Sequence, residues 1–153
     1  KPLAVAQLHG LESGVPVDYE ASSAEDLARR EPGAYDVVTC LEVLEHVPDP
    51  ARTVRACAAL ARPGGQLFFA TINRNPKSYL LAIIGAEYVL SLLPRGTHDY
   101  AKFIKPSELS RWCRDAGLDV GHLVGMTYNP LTKTYALGAD TGVNYLMHCR
   151  RDD

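Results

Sequence analysis

A strand–helix–strand succession between residues 35 and 72 constrains the fold of this chain more than any other feature. Residues 35–40 form a short apolar run rich in β-branched side chains, which predicts a buried strand. Asp49 and Pro50 are typical of a helix start, and residues 66–72 are a second strand-like run after a Pro-Gly-Gly stop. Two strands joined through a helix predict a parallel α/β sheet with a right-handed crossover.

The other predicted elements extend the α/β pattern toward both ends of the chain. Each is recognised from apolar periodicity bounded by caps, glycines or prolines. The last two strands are predicted to pair antiparallel, with residues 129–141 as the loop between them. No repeat or linker interrupts the chain, which predicts one domain. The elements are helices at 2–12, 23–30 and 106–116 and strands at 15–20, 118–128 and 142–149.

Charge and cysteine content narrow the class of protein. The formal net charge of −2 gives no field that attracts nucleic acid, so a nucleic-acid partner is not expected. The four cysteines have no CxxC spacing and are predicted to be buried free thiols in a reducing compartment. No secretory signal opens the sequence, and a cytoplasmic location is expected.

Residues 77–95 carry a strongly apolar run that Pro94 ends. The run is too short to span a bilayer, which takes about 20 apolar residues. Two alternatives stay open from the sequence. The run is either a core helix or an interfacial helix that touches lipid, flanked by the cations Lys77 and Arg95.

Three polar side chains, Glu42, Glu45 and His46, follow the strand at residues 35–40. In open α/β sheets, ligands bind just beyond the carboxyl ends of strands, so this position predicts a functional site. In a helical turn over residues 41–47, the two carboxylates would share one face, and their repulsion favours a cation between them. The alternative is a solvated acidic helix start with His46 as a cap.

Four segments carry a resemblance to one enzyme family. They are YDVVTCLEVLEHVPDP, RPGGQLFFATINRN, GAEYVLSLLPRGTHDYAKFIKPSEL and VGMTYNPLTKTYAL. Together they resemble the ubiquinone biosynthesis O-methyltransferases over nearly the whole chain. The resemblance implies a Rossmann-like class I methyltransferase sheet, mostly parallel with a final antiparallel strand pair. It also implies methyl transfer from S-adenosylmethionine to phenolic hydroxyls of polyprenyl catechol intermediates in ubiquinone biosynthesis.

The resemblance further implies that part of the domain precedes this chain. The family's glycine-rich loop and its ribose-binding acidic residue are expected upstream of Lys1, together with the first two strands. Residues 1–153 are therefore predicted to be the C-terminal two-thirds of a single methyltransferase domain, with an apolar insertion at about residues 77–95. Without those strands, the strand at residues 35–40 would expose an unpaired edge, and the chain alone is expected to bind the cofactor poorly.

His98 strengthens the hypothesis of a metal site. It lies in the link GTHD, where no core role is evident. Small-RNA methyltransferases of the same fold hold a divalent ion with an ExxEH motif and a distant histidine, a pattern that Glu42, Glu45, His46 and His98 resemble. Oxygen ligands suit Mg²⁺, and the imidazoles admit Zn²⁺, Mn²⁺ or Fe²⁺. Coordination would lower the pKa of a bound phenol, and His46 and Glu45 are the candidate catalytic residues, with His46 as general base.

The family resemblance also suggests cofactor and substrate contacts. Ala24, Glu25 and Asp26 match the loop that meets adenine, although helix capping explains Asp26 equally well. Cys40 and Leu41 are expected to line the methionine pocket through backbone groups, although core packing is the alternative for Cys40. The candidate substrate contacts are Arg74, after the strand at residues 66–72, and Tyr128 and Asn129, while His9, His122 and His148 are predicted to be structural or solvated.

The polyprenyl tail of the substrate that the resemblance implies would partition into lipid, so the protein is expected to approach a membrane. The expectation is contact with a membrane surface through residues 77–95, peripheral association with a bacterial-type inner membrane, and a place in a ubiquinone biosynthesis complex. One alternative function is another class I methyltransferase that acts on a small molecule or RNA. The other is a truncated, inactive partner in a biosynthetic complex.

Overall fold

The computed structural model describes residues 2–80, 99–129 and 132–153. Most of the predicted insertion, together with the candidate metal ligand His98, lies outside the described residues. The helices of the described residues are α1 (Pro2–Ser13), α2 (Ala24–Arg30), α3 (Pro50–Leu60), α4 (Pro76–Ser78) and α5 (Pro106–Asp115), and single turns of 3-10 helix lie at Leu44–His46 and Tyr100–Lys102. The strands are β1 (Tyr35–Leu41), β2 (Ala61–Ile72), β3 (Leu118–Asn129), β4 (Thr134–Gly138) and β5 (Asn144–Arg151).

The five described strands form one mixed sheet in the order β1-β2-β5-β3-β4. The strands β1 and β2 pair in parallel and are joined through α3, as the strand–helix–strand pattern predicts. The strand β5 lies antiparallel between β2 and β3. The predicted α/β fold with a mixed sheet and a final antiparallel pair is therefore confirmed.

The core lies between one face of the sheet and the helices α3 and α5. Alternate residues of β5 are buried on this face because side chains of a strand point to opposite sides in turn. Burying a large apolar side chain contributes about 1.5–3 kcal/mol, so this layer supplies most of the packing that holds the site's strand ends together. The core includes Leu67 and Phe69 of β2, Tyr145, Met147 and Cys149 of β5, Val54 and Cys57 of α3, and Leu109 and Cys113 of α5.

Caps place the starts of the helices where the sequence predicts them. The Asp49 side chain accepts a hydrogen bond of 3.0 Å from the Arg52 backbone N–H, and Pro50 opens α3. The Ser23 hydroxyl oxygen caps α2 by accepting from the Asp26 N–H at 3.0 Å. Each such cap satisfies a backbone donor that the helix leaves unpaired.

The strand β1 lies at the edge of the described sheet. Six of its seven residues are not buried, and Val37 and Leu41 are 52% and 49% exposed. The prediction of a buried strand at residues 35–40 is therefore wrong for the described structure, because β2 is the only strand that pairs with β1 there. The strand predicted at residues 15–20 is likewise absent, since no described strand pairs with that segment.

The strand β4 is an element that the sequence analysis assigned to a loop. Residues 134–138 pair antiparallel with residues 125–129 of β3, and all five residues of β4 are exposed. The alternation in Thr-Tyr-Ala-Leu was a signal for a strand, but it is short and has no buried face. The Tyr128 and Tyr135 rings pack across this hairpin with centroids 4.8 Å apart.

Both ends of the segment between β2 and α5 are anchored to the sheet. At its start, Asn75 caps α4 and donates from Nδ2 to the Gly142 carbonyl at 2.9 Å. At its end, the Ile104 N–H donates to the Ile72 carbonyl at 3.0 Å, and the Tyr145 hydroxyl donates to the Ile104 carbonyl at 3.0 Å. The carboxyl end of β2 is thus the meeting point of the insertion and the sheet.

The fold buries all four cysteines. Cys40, Cys57, Cys113 and Cys149 are free and buried, as predicted. Within the described part of the chain, none of the helices combines the length and apolar character that a membrane crossing requires.

Candidate active site

The chain turns sharply where β1 ends. Glu42 has a φ of 54°, in the left-handed region that non-glycine residues seldom adopt. The 3-10 turn then begins at Leu44, whose side chain is fully buried and anchors the turn to the core. The predicted helical turn over residues 41–47 is thus shorter than expected, and Glu42 precedes it instead of sharing its face with Glu45.

Glu45 is a carboxylate buried at the edge of the core. It is 4% exposed, and its Oε2 accepts a hydrogen bond of 2.8 Å from the hydroxyl of Thr71, which is fully buried. Thr71 belongs to β2, next to the residue that ends the strand. A buried carboxylate is costly unless hydrogen bonds stabilise it, so Thr71 fixes both the place and the orientation of Glu45.

The carboxyl groups of Glu42 and Glu45 lie together even though the turn is not helical at Glu42. Burial of the Glu42 carboxyl, followed by the charge of Glu45, raises the pKa of Glu42 to about 7. A hydrogen bond with the Asn144 side chain acts in the opposite direction. Two carboxyl groups in this arrangement share either a proton or a cation.

The predicted metal ligands are only partly brought together. Within residues 2–80, 99–129 and 132–153, no three side chains of His, Cys, Asp or Glu form a group that could hold a metal ion. His46 lies in the 3-10 turn and is exposed, and His98 falls outside the described residues. The pair of carboxylates fits a divalent cation in its chemistry, and the full ligand set stays a prediction.

The turn at residues 42–47 separates two cavities. A cavity of about 630 Å³ lies along β1 and is lined by Ala24, Cys40, Leu41 and Val43 among others. A second cavity, of about 520 Å³, lies on the other side and is lined by Glu45, His46, Arg74 and Trp112 among others. We call them the β1 cavity and the α5 cavity. The consecutive residues Val43 and Leu44 line different cavities, so the turn itself is the partition.

The predicted cofactor contacts divide between neighbouring cavities. Ala24, Cys40 and Leu41 line the β1 cavity. Glu25 and Asp26 line a smaller cavity of about 440 Å³ beside it. Glu25 accepts a hydrogen bond of 3.1 Å from the Thr53 hydroxyl. The Asp26 carboxylate accepts a hydrogen bond from the Ser23 hydroxyl and pairs with Arg29. Asp26 thus takes part in the cap of α2, which is the alternative to a cofactor contact.

Cys40 packs against Cys57 at the wall of the β1 cavity. The hydrogen bond with Cys40, together with burial, raises the pKa of the Cys57 thiol. A thiol held in the protonated form is a poor nucleophile and packs as a small apolar group. Cys40 therefore combines core packing with a place at the cavity wall, and the two explanations given for it are compatible.

The predicted substrate contacts lie in two different places. Arg74 lines the α5 cavity, where its guanidinium pairs with Glu108 and donates to the Phe103 carbonyl at 3.2 Å. Tyr128 and Asn129 lie on the β3–β4 hairpin and do not line that cavity. Asn129 Oδ1 accepts from the Thr132 N–H at 3.3 Å within the hairpin.

Thr71 and Asn144 are neighbours of the site that were not predicted from the sequence. Thr71 is a polar residue inside an apolar strand, and that position near the carboxyl end of β2 was a usable signal. Asn144 left no comparable signal, because its closeness to Glu42 depends on the pairing of β5 with β2.

Comparison with known proteins shows what the chain is similar to. The family described as "Methyltransferase domain" matches residues 5–123. Ubiquinone biosynthesis O-methyltransferases from Nitrosospira multiformis, Thiobacillus denitrificans and Azotobacter vinelandii are 70%, 68% and 66% identical over 98–99% of this chain. The chain spans 63–66% of the length of these relatives. The resemblance recognised in the four sequence segments is confirmed.

Solved structures with low sequence identity share the fold. A SAM-dependent methyltransferase from Methanosarcina mazei aligns with a TM-score of 0.66 at 16% identity, covering 98% of this chain and 77% of its own. Magnesium protoporphyrin IX methyltransferase from Synechocystis, with bound SAH, aligns with a TM-score of 0.64 at 20% identity, covering 98% and 59%. The Rossmann-like methyltransferase fold is supported by both.

Proposed function

Because the chain belongs to the methyltransferase-domain family, we propose that it serves to transfer the methyl group of S-adenosylmethionine to a phenolic hydroxyl of a polyprenyl catechol in ubiquinone biosynthesis. The support for the substrate class is the high identity to relatives named ubiquinone biosynthesis O-methyltransferases. The location proposed for the reaction is supported by the turn at residues 42–47 and by the two cavities beside it.

The observation that carries the proposal is the partition between the two cavities. A methyl transfer needs a donor and an acceptor that approach each other in line, each held in its own site. The β1 cavity contains the predicted cofactor contacts Ala24, Cys40 and Leu41, and the α5 cavity contains Glu45 and His46. Donor and acceptor on the two sides of the turn at residues 42–47 would meet at its edge.

His46 and Glu45 are placed to prepare the acceptor. A phenol has a pKa of about 10, so a base must take its proton for efficient attack at neutral pH. The His46 imidazole lies at the cavity wall and is exposed, which allows it to accept that proton and pass it to water. Glu45, held by Thr71, orients the hydroxyl or the imidazole from a fixed position. When bound, S-adenosylmethionine supplies the electrophilic methyl group.

Glu42 and Glu45 would be the first ligands of a divalent cation in this proposal. Mg²⁺ prefers oxygen ligands, and a catechol has two adjacent oxygens that can complete its coordination. His46 and His98 are the further ligands that the resemblance suggests, and Zn²⁺, Mn²⁺ or Fe²⁺ would suit that mixed set. When bound, the ion lowers the pKa of a coordinated hydroxyl.

Methylation of a short-chain catechol by the full-length protein tests the proposed function. Glu45→Gln keeps the size of the side chain but removes its charge, and we expect kcat to fall by at least about 100-fold. The exposed Glu12→Gln is the matched control and should keep wild-type turnover. Full activity of Glu45→Gln in the presence of a chelator would contradict the proposed roles, and methylation of RNA ends in place of catechol would contradict the substrate class.

Membrane contact through residues 77–95 is the proposed route to a lipid-soluble substrate. The apolar run and its flanking Lys77 and Arg95 support an interfacial position at the inner membrane. Co-sedimentation with vesicles, with and without acidic lipid, tests it. Absence of binding to both kinds of vesicle would favour the alternative interpretation, in which the segment is a core helix.

A further inference from the structure

We propose that the α5 cavity is the pocket for the aromatic ring of the acceptor, and that the Arg74–Glu108 ion pair sets the position of its outer wall. The inference rests on the proposed function for the identity of the ligand. It differs from the expectation that Arg74, Tyr128 and Asn129 touch the substrate, because it places the ring against α5 and gives Arg74 a positioning role.

The volume and the walls of the α5 cavity fit a hydroxylated ring. An apolar cavity of about 150 Å³ already holds benzene, so about 520 Å³ leaves room for ring substituents and the first part of a tail. Trp112, Pro48 and Phe103 provide flat or apolar surfaces along the walls. Aromatic ligands pack well on such surfaces through offset or edge-to-face contacts.

The α5 cavity also has polar groups that could contact the hydroxyls of a ring. Glu45 and His46 line the wall that the turn at residues 42–47 forms. Lys102 also lines the cavity, and a cation there favours the phenolate over the neutral phenol. A ring lying against Trp112 can therefore direct a hydroxyl toward Glu45 and His46.

The Arg74–Glu108 ion pair fastens the wall to the sheet. Arg74 follows the carboxyl end of β2, and Glu108 lies in the first turn of α5. Both side chains are about 70% buried, at 30% and 27% exposed, so the pair is less screened than a surface pair. Arg74 also donates to the Phe103 carbonyl at 3.2 Å, which leaves its guanidinium engaged with protein groups on two sides.

The ion pair affects the cavity because Lys102 and Phe103, which line it, belong to the segment that connects the insertion back to the sheet. Besides Arg74, the backbone bond from Ile104 to Ile72 holds this return segment. Loss of the ion pair would let the segment move while the backbone bond remains. We therefore expect a change in ring binding with retention of the fold.

Fluorescence of Trp112 tests the ring pocket. Trp112 is the single tryptophan among the 153 residues, and the difference between the full-length protein and its Trp112→Phe variant isolates its signal. Titration with catechol should quench that signal with the same concentration dependence as methylation. Methylation of catechol with no change in the Trp112 signal would overturn the pocket and leave the proposed function standing. Quenching without methylation would support the pocket and overturn the proposed activity.

Steady-state kinetics test the ion pair. Arg74→Met should raise the KM for catechol about tenfold, leave the affinity for S-adenosylmethionine unchanged, and change kcat by less than about threefold. The reversed pair, Arg74→Glu with Glu108→Arg, should recover most of the loss. A direct substrate contact by Arg74 would instead leave the reversed pair as impaired as Arg74→Met, which would overturn the positioning role.

An exposed ion pair near the starts of β1 and β2 provides the control. Arg62 pairs with Asp36 at 2.6 Å, and both side chains are more than half exposed. Arg62→Met should leave the KM for catechol at the wild-type value. An equal rise of KM in Arg62→Met and Arg74→Met would show that loss of any ion pair is enough and would overturn the inference.

Discussion

The hydroxyl of Thr71 decides how the buried Glu45 is held. It is the donor to Glu45 Oε2 at 2.8 Å, and both residues are buried. Thr53 makes a similar bond to Glu25 at 3.1 Å, but Glu25 is only partly buried and keeps access to water. The Thr–Glu hydrogen bond should therefore contribute more to the free energy of unfolding at Glu45 than at Glu25. Water can replace a lost hydrogen bond only where it reaches the carboxylate.

Thr71→Val should destabilise the fold by about 1–3 kcal/mol, because it leaves the buried Glu45 without this donor. Thr71→Ser keeps the hydroxyl and should retain most of the stability. The free energy of unfolding in urea measures both. Thr53→Val is the matched comparison and should cost less. An equal cost of the two valine substitutions would contradict the special position of Glu45.

The raised pKa of Glu42 predicts a pH-dependent stability at the site. The pKa is about 7 in the folded chain and 4.5 for an ordinary glutamate, so the folded state binds more protons between these values. Stability should therefore be highest below about pH 4.5 as far as this group is concerned, and it should fall as the pH rises through about 7. Unfolding free energies at about pH 5 and about pH 8, measured with chelator, check the direction.

Glu42→Gln supplies the control for that pH dependence. It removes the titrating group, so the decline in stability between about pH 5 and about pH 8 should become smaller than in the wild type. Added Mg²⁺ should stabilise the wild type at the higher pH and have less effect on Glu42→Gln, because a cation relieves the repulsion between the two carboxylates. An identical pH profile for both proteins would contradict the shared environment of Glu42 and Glu45.

At the scale of elements, the site depends on how β1 passes into α3. The chain leaves β1 at Glu42, makes the 3-10 turn at Leu44–His46, and starts α3 at Pro50 with Asp49 as its cap. Leu44 and Val54 are fully buried, so the turn and the helix share the core. The turn that separates the two cavities is therefore held by the burial of Leu44 and by the helix α3 that follows it.

Asp49→Ala should destabilise α3 by about 1 kcal/mol, because the Arg52 N–H loses its acceptor. Asp49→Asn keeps an acceptor oxygen at this position and should be nearly neutral. Thermal or urea unfolding of the two variants makes the comparison. A loss of equal size in both variants would show that the charge of Asp49, and not its role as a cap, stabilises the helix.

At the scale of the whole molecule, the edge strand β1 borders the β1 cavity. The predicted cofactor contacts Cys40 and Leu41 lie on this strand, and Leu41 is 49% exposed. The relatives are longer than this chain, which spans 63–66% of their length. We propose that the cofactor site takes further contacts from the outer side of β1, because this strand has an open edge in the described sheet.

The 153-residue chain alone should bind S-adenosylmethionine at least about 100-fold more weakly than the full-length protein, because affinity depends on contacts from both sides of the ligand. Isothermal titration calorimetry on both proteins measures the ratio. Circular dichroism of the 153-residue chain serves as the check that its helices and strands are formed. Equal affinity for the cofactor would contradict the proposal that contacts outside this chain are needed.

The sequence by itself determined the local structure where a short-range pattern has a single solution. The cap at Asp49, the strand–helix–strand succession and the α/β class all follow from residue types at fixed spacings. The four family segments also located Glu42, Glu45 and His46 at a strand end. Local sequence is sufficient for these features because the interactions that produce them join residues only a few positions apart.

Only the tertiary structure decided which side chains meet. The bond from Thr71 to Glu45 and the ion pair of Arg74 with Glu108 join residues from different elements. The added strand β4 and the partition into two cavities depend equally on which strands pair. Such contacts arise when the core packs distant segments together, and no periodicity within one segment carries that information.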